Sequence, residues 1–167
     1  NMVVTEHDEQ LNEQQESANN NGSKAYKYRI LVVDDSEMNR EILSEILSEE
    51  YDIIEADSGD TCIDMLRKYE NSISLVLLDV VLPKMDGFDV LTYMNKNHWI
   101  EDIPVIMISS EDSAEIVRRA YEMGVSDYIN RPFDAGVVHR RVYNTIKLYA
   151  KQRRLISLVT DQIYEKE

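Results

Sequence analysis

The sequence predicts a doubly wound α/β domain: five short parallel strands with helices on both faces and an extended helix at the C-terminal end. Three observations lead there. Five apolar runs of five to seven residues recur between positions 28 and 130, helical patterns lie between them, and the connections are short. A strand that returns to the same sheet through a helix does so by a right-handed crossover, so such an alternation makes a parallel sheet covered on both sides. At 167 residues the chain encloses one core and leaves tails rather than a second domain.

The first segment, residues 1 to 27, is an acidic polar tail. It holds "TEHDEQLNEQQESANNNGSK", whose few apolar residues do not bury enough surface to offset the entropy of ordering, apart from a short helix expected over Glu6 to Ala18. The strands follow as "YRILVVD" (28 to 34), "DIIEA" (52 to 56), "SLVLLD" (74 to 79), "PVIMIS" (104 to 109) and "SDYIN" (126 to 130). Their near-continuous apolar character implies burial on both faces. Between them, apolar residues fall three and four apart: Ile42, Leu43, Ile46 and Leu47; Ile63, Leu66 and Tyr69; Val90, Leu91 and Met94; Ile116, Val117 and Ala120. Ser58 and Ser110 are expected as helix N-caps, and Gly124 is expected to end the fourth helix in a left-handed conformation.

The domain is expected to close near residue 150, with 151 to 167 continuing the last helix. Helical periodicity runs unbroken from Ala135 to about Ile163, roughly 40 Å at 1.5 Å per residue, which is longer than packing on this sheet requires. Val142, Ile146, Tyr149, Arg153 and Ile156 repeat like a coiled-coil seam interrupted by Arg153. The extension is therefore expected to be a dimerisation helix or a linker to an output domain beyond this sequence; a solvated helix end is the bland alternative.

Composition excludes several classes of function. The formal net charge of -14 opposes general binding to nucleic acid or an anionic membrane, both of which need a positive field. One cysteine, Cys62, rules out an internal disulfide framework, and no apolar run reaches membrane-spanning length. A cytoplasmic location is expected. The same acidity suits a site that collects a cation.

That site is expected at the carboxyl ends of the strands, where open parallel sheets bind ligands. Asp34 and Asp35 close the first strand and Asp79 closes the third, and in a sheet of order 2-1-3-4-5 those strands are neighbours. Three carboxylates in one cleft repel unless a cation joins them, and oxygen-only ligands favour Mg²⁺. A lone strand-end Asp more often caps a turn; three at adjacent ends point to function. A carboxylate beside a metal also supports phosphoryl transfer, because its oxygen attacks phosphorus while metal and cations spread the charge. Ser109 ends the fourth strand and offers a hydroxyl, and "NRPF" places cationic Arg131 at the end of the fifth.

With "VVDDSEMNR", "LVLLDVVLPKMDGFDVL", "PVIMISS" and "DYINRPF" in that order and spacing, residues 28 to about 150 resemble a response-regulator receiver domain of bacterial two-component systems. That is the CheY-like, flavodoxin-like module phosphorylated on Asp by a histidine kinase. The resemblance implies Asp79 as phosphoacceptor, Asp34 and Asp35 as metal-side acids and Val81 as a metal ligand through its backbone carbonyl. It also implies Ser109 as the switch hydroxyl and Tyr128 as the aromatic that changes exposure. Mg²⁺ is the implied cofactor, and a sensor histidine kinase or phosphotransfer protein the implied partner. The domain would catalyse only its own phosphorylation and dephosphorylation. The family usually has Lys where Arg131 stands; a guanidinium is broader and bidentate, so it either meets the phosphoryl group or bridges the acids. Two other readings stay open. A receiver-like interaction module would take no phosphate. A phosphatase of the haloacid-dehalogenase type needs a second Asp two residues after its nucleophile, whereas Asp34 is followed by Asp35 and Ser36.

Overall fold

Parallel pairing sets five strands side by side in the order β2-β1-β3-β4-β5. They are β1 Arg29–Val33, β2 Asp52–Ala56, β3 Ile73–Asp79, β4 Val105–Ser109 and β5 Asp127–Asn130. The computed structural model describes residues 26–166. The polar segment expected over residues 1 to 27, with its short helix, lies outside the described residues except for Tyr26 and Lys27. The helices are α1 Glu37–Leu47, α2 Gly59–Tyr69, α3 Gly87–Lys96, α4 Trp99–Asp102, α5 Ala114–Glu122 and α6 Ala135–Glu165. Among the described residues no helix is long and apolar enough to cross a membrane.

The apolar runs alternate between two cores, as side chains two residues apart must on a strand. Leu31, Val33, Val76, Leu78, Val105 and Met107 face one layer, where Cys62 and Leu66 of α2 and Val90, Leu91 and Met94 of α3 pack on them. Ile30, Val32, Leu75, Leu77, Ile106 and Ile108 face the other, covered by Leu43 and Leu47 of α1 and by Val138, Val142 and Ile146 of α6. This is the two-sided burial expected of the strands for β1, β3 and β4, and β3 is buried along its whole length. The edge strands depart from it, with only Ala56 buried in β2 and only Tyr128 and Ile129 in β5, because each has a neighbour on one side alone. Removing one of these side chains, such as Leu77→Ala, costs on the order of 2–5 kcal/mol.

Polar residues set the helix ends. Ser36, Ser58, Ser113 and Asp134 each accept a hydrogen bond from a backbone N–H of the first turn of α1, α2, α5 and α6. Asp86 and Asp89 form a reciprocal capping box at α3. Ser58 is thus a cap as expected. Ser110 is not: Ser113 caps α5, and the turn before it is held instead by the Glu111 N–H donating to Ser109 Oγ at 3.0 Å. Gly124 follows α5 with φ +100°, the left-handed ending expected there. The four-residue α4 had no periodicity to reveal it; it buries Trp99, whose Nε1 donates to Glu70 at 3.1 Å.

At 31 residues α6 is one unbroken helix, about 47 Å long at 1.5 Å per residue. Its first half is anchored by Val138, Val142 and Ile146, whereas residues 151 to 166 are exposed along their length. Leu155, Ile156, Val159 and Ile163 lie on that exposed half.

Candidate functional site

The site follows from strand register. β1 and β3 pair with Val33 beside Leu78, so the next residue on each strand sets Asp34 beside Asp79, one strand spacing of about 4.8 Å away. Asp35 follows at the turn into α1. One carboxylate oxygen from each of Asp34, Asp35 and Asp79 lies within 4.8 Å of the others. Asp34 and Asp79 are buried and Asp35 is exposed, so the cluster opens to solvent on the Asp35 side.

Each buried acid has one oxygen tied to the backbone. Asp34 Oδ1 accepts from the Ser36 N–H at 2.9 Å and Asp79 Oδ1 from the Val81 N–H at 3.2 Å. The second oxygen of each meets Arg131: Nη2 donates to Asp34 Oδ2, and Nη1 to Asp79 Oδ2 at 3.4 Å. Arg131 follows β5, and the bond joining it to Pro132 is cis. Of the two roles the sequence left open for Arg131, bridging the acids is the arrangement observed. Burial pushes the Asp79 carboxyl up to about 6; Arg131 lowers it, Asp34 raises it further, and the Val81 N–H lowers it.

Ser109 and Tyr128 meet through a residue between them. Ser109 is buried at the end of β4, its Oγ accepting from the Glu111 N–H; Tyr128 is buried, and its hydroxyl donates to the Glu111 carbonyl. Burial is the first cause of the raised Tyr128 phenol pKa, partly offset by the Ser109 hydroxyl. The backbone of Glu111 therefore links the two residues for which the resemblance separately implied switch roles. Val81 sits at the rim, 58 % exposed, with its backbone held against Asp79.

Two supporting residues escaped sequence reasoning. Arg40, one turn into α1, donates from Nη1 to the Asp34 carbonyl at 2.8 Å and pairs through Nε with Glu55 at 3.3 Å, which braces the β1–α1 turn against β2. It stands in "DDSEMNR", so a signal was present, but nothing in spacing separates it from a surface arginine. Gly87 packs its backbone on the end of β3: its N–H donates to the Val80 carbonyl at 2.9 Å, and a Cβ there would lie 2.4 Å from the Asp79 carbonyl oxygen. The "MDG" turn is glycine because the phosphoacceptor candidate's own backbone occupies that space.

Three carboxylates against one bridging guanidinium leave an excess of negative charge, all on hard oxygen donors with no sulfur or imidazole. That donor set fits a divalent oxygen-seeking cation such as Mg²⁺.

Comparison with known proteins agrees with this architecture. Residues 30–143 match the family described as response regulator receiver domain. A "Probable cyclic di-GMP phosphodiesterase" of Vibrio cholerae serotype O1 is 35% identical over 118 residues, which make up 71% of this chain and 26% of that protein. The chain thus spans about a quarter of that relative. "Two-component response regulator ORR3" of Oryza sativa subsp. indica is 32% identical over 112 residues, 66% of this chain and 85% of the rice protein. Among solved structures, the CheX-CheY-BeF3-Mg+2 complex from Borrelia burgdorferi has a chain that superposes with a TM-score of 0.65. It is 31% identical and covers 70% of this chain and 87% of that one.

Proposed function

Since the chain belongs to the response regulator receiver domain family, we propose that it accepts a phosphoryl group on Asp79 from a sensor histidine kinase or phosphotransfer protein and signals through the resulting change in shape. The observation that carries this reading is the convergence of Asp34, Asp35 and Asp79 within 4.8 Å at adjacent strand ends, with Arg131 against the two buried acids. One carboxylate oxygen of Asp79 attacks phosphorus; the P–O bond forms as the P–N bond to the donor imidazole breaks, and the imidazole keeps the bonding electron pair and takes up a proton. Asp34, Asp35, Asp79 and the Val81 carbonyl would hold Mg²⁺, which when bound offsets the negative charge on the oxygens of the transferring group. Arg131 supplies a permanent positive charge, and Ser109 Oγ supplies a hydroxyl donor for one of those oxygens. Asp34 and Asp35 take no covalent part.

In this reading the domain is a reactant in its own modification rather than an enzyme acting on free substrates. The cyclic di-GMP phosphodiesterase activity named for the Vibrio relative belongs to that larger protein. Here the state of Asp79 would be read by a partner or by an output domain joined to α6. The exposed apolar side chains of Leu155, Ile156, Val159 and Ile163 further support a second copy as cover for that helix. Incubation with Mg²⁺ and acetyl phosphate or phosphoramidate, followed by intact mass measurement, tests the main reading. One added phosphoryl group, absent in Asp79→Asn, is the expected result. An unlabelled wild-type protein overturns it in favour of an interaction module that takes no phosphate.

A further inference from the structure

The guanidinium of Arg131 stands against two of the three acids that could hold a metal. It donates to Asp34 Oδ2 and Asp79 Oδ2, while the other oxygen of each acid is already engaged by the Ser36 and Val81 N–H groups. Every oxygen of the two buried acids therefore has a donor, and Asp35 alone presents its carboxylate to solvent. The fork also has a spare prong. Arg131 Nε is buried and has no hydrogen-bond partner among the described residues, an arrangement that costs free energy unless an acceptor arrives.

We infer that Arg131 is a resident counter-cation: it lowers the affinity of the metal-free acid cluster for Mg²⁺, and it is released when a phosphoryl group on Asp79 supplies new acceptors for Nη1 and the idle Nε. This rests on the proposed role of Asp79 but makes a separate claim about metal affinity. Each oxygen of Asp34 and Asp79 keeps a second lone-pair site, but a divalent ion placed there lies beside a guanidinium that spans both acids and is repelled by its charge, whereas a lysine ammonium is a compact point charge on a flexible stem and has no planar fork to span the pair. Metal and phosphoryl group then bind cooperatively, because phosphoryl oxygens that draw Arg131 off the acids remove the charge that opposes the ion. The side chain of Arg131 is 21% exposed, so part of it already meets solvent.

The test is a calorimetric Mg²⁺ titration at constant ionic strength of wild type, Arg131→Lys and Arg131→Met, each checked for folding by circular dichroism. Both variants are expected to bind Mg²⁺ more tightly than wild type. The expected gain for Arg131→Lys is about tenfold, the net worth of one charge-assisted contact. Without metal, Arg131→Met should melt below Arg131→Lys, since it leaves the acids without a counter-charge; that readout holds even if one variant is too unstable to titrate. Adding beryllium fluoride, which mimics a phosphoryl group, should narrow the difference in Mg²⁺ affinity between wild type and Arg131→Lys. Equal or weaker Mg²⁺ binding by Arg131→Lys overturns the inference, as does a failure of all three proteins to bind the ion. Tighter binding by Arg131→Lys in a protein that phosphodonors do not label would uphold the counter-cation and refute the phosphoacceptor reading, whereas labelling on Asp79 with equal affinities would do the reverse.

Discussion

Replacing Asp79 by Asn should make the metal-free protein more stable, although it removes the reacting group. Burial holds the Asp79 carboxyl at about 6 against an ordinary 3.8. The folded state therefore binds the proton more tightly than the unfolded chain, and stability from this group is full below the unfolded value and is lost as pH rises through 6. Taken over that interval at 1.36 kcal/mol per pH unit, ionised Asp79 costs the fold about 3 kcal/mol at neutral pH and about half as much at pH 5. Asparagine keeps an acceptor for the Val81 N–H, bears no charge to desolvate, and gives up only the long 3.4 Å contact with Arg131, which retains Asp34. Urea unfolding followed through the single tryptophan, buried Trp99, provides the assay. With EDTA near pH 7.5 the midpoint of Asp79→Asn should exceed wild type by about 1.5 M for a slope of about 2 kcal/mol per M. The gap should shrink toward pH 4, where the folded-state carboxyl is protonated and the unfolded one partly so, and close below the unfolded value of 3.8. Saturating Mg²⁺ should close it from the other side, by stabilising wild type alone. A pH-independent difference, or an Asn variant less stable than wild type at pH 7.5, would refute the claim that a desolvated carboxylate is held in the cleft against its preference.

Three further outcomes follow from the same geometry. Val81 has an apolar side chain at the rim of the cleft and offers nothing to hold an attacking water, so the phosphorylated protein should lose its label more slowly than Val81→Asn when both are followed by intact mass. A wild-type rate equal to or faster than that of the variant counts against it. Gly87→Ala places a methyl carbon 2.4 Å from the Asp79 carbonyl oxygen and 2.8 Å from Met107 Cε; thermal melting should show a loss of about 1–3 kcal/mol, with slower labelling of Asp79 because the strand end must move. Stopping the chain after Lys151 removes, among the described residues, only exposed ones, so domain stability should change by less than about 0.5 kcal/mol. In sedimentation the full chain should associate at tens of micromolar and the shortened one should not; two monomers would leave Leu155 and Ile156 as solvated side chains.

Much of the fold was legible because it depends on local chemistry. Strands whose two faces are both buried must be apolar at every position, which "ILVV", "LVLL" and "VIMI" display. Gly124 ends a helix where a left-handed residue is needed, and an aspartate that stops an apolar run marks a strand end whatever the strand's neighbours are. The failures were also local. Ser110 and Ser113 are equally good caps by composition, and only the bond from the Glu111 N–H to Ser109 Oγ, which makes residues 109 to 111 a turn, moves the start of α5 to Ala114. The short α4 spans too few residues to carry a period.

Residue types alone settle which groups are available: three carboxylates at strand ends, a hydroxyl, an aromatic and a cation. How they are joined follows from the sheet. Asp34, Asp79 and Arg131 are distant along the chain and come together only because β1 lies beside β3, β4 beside β3 and β5 beside β4. In that order one planar guanidinium reaches two acids at once, and the Glu111 backbone links Ser109 to Tyr128. Such bridges are contacts between strand ends, set by sheet order and register, and the strength of each depends on a burial that no single segment of sequence creates.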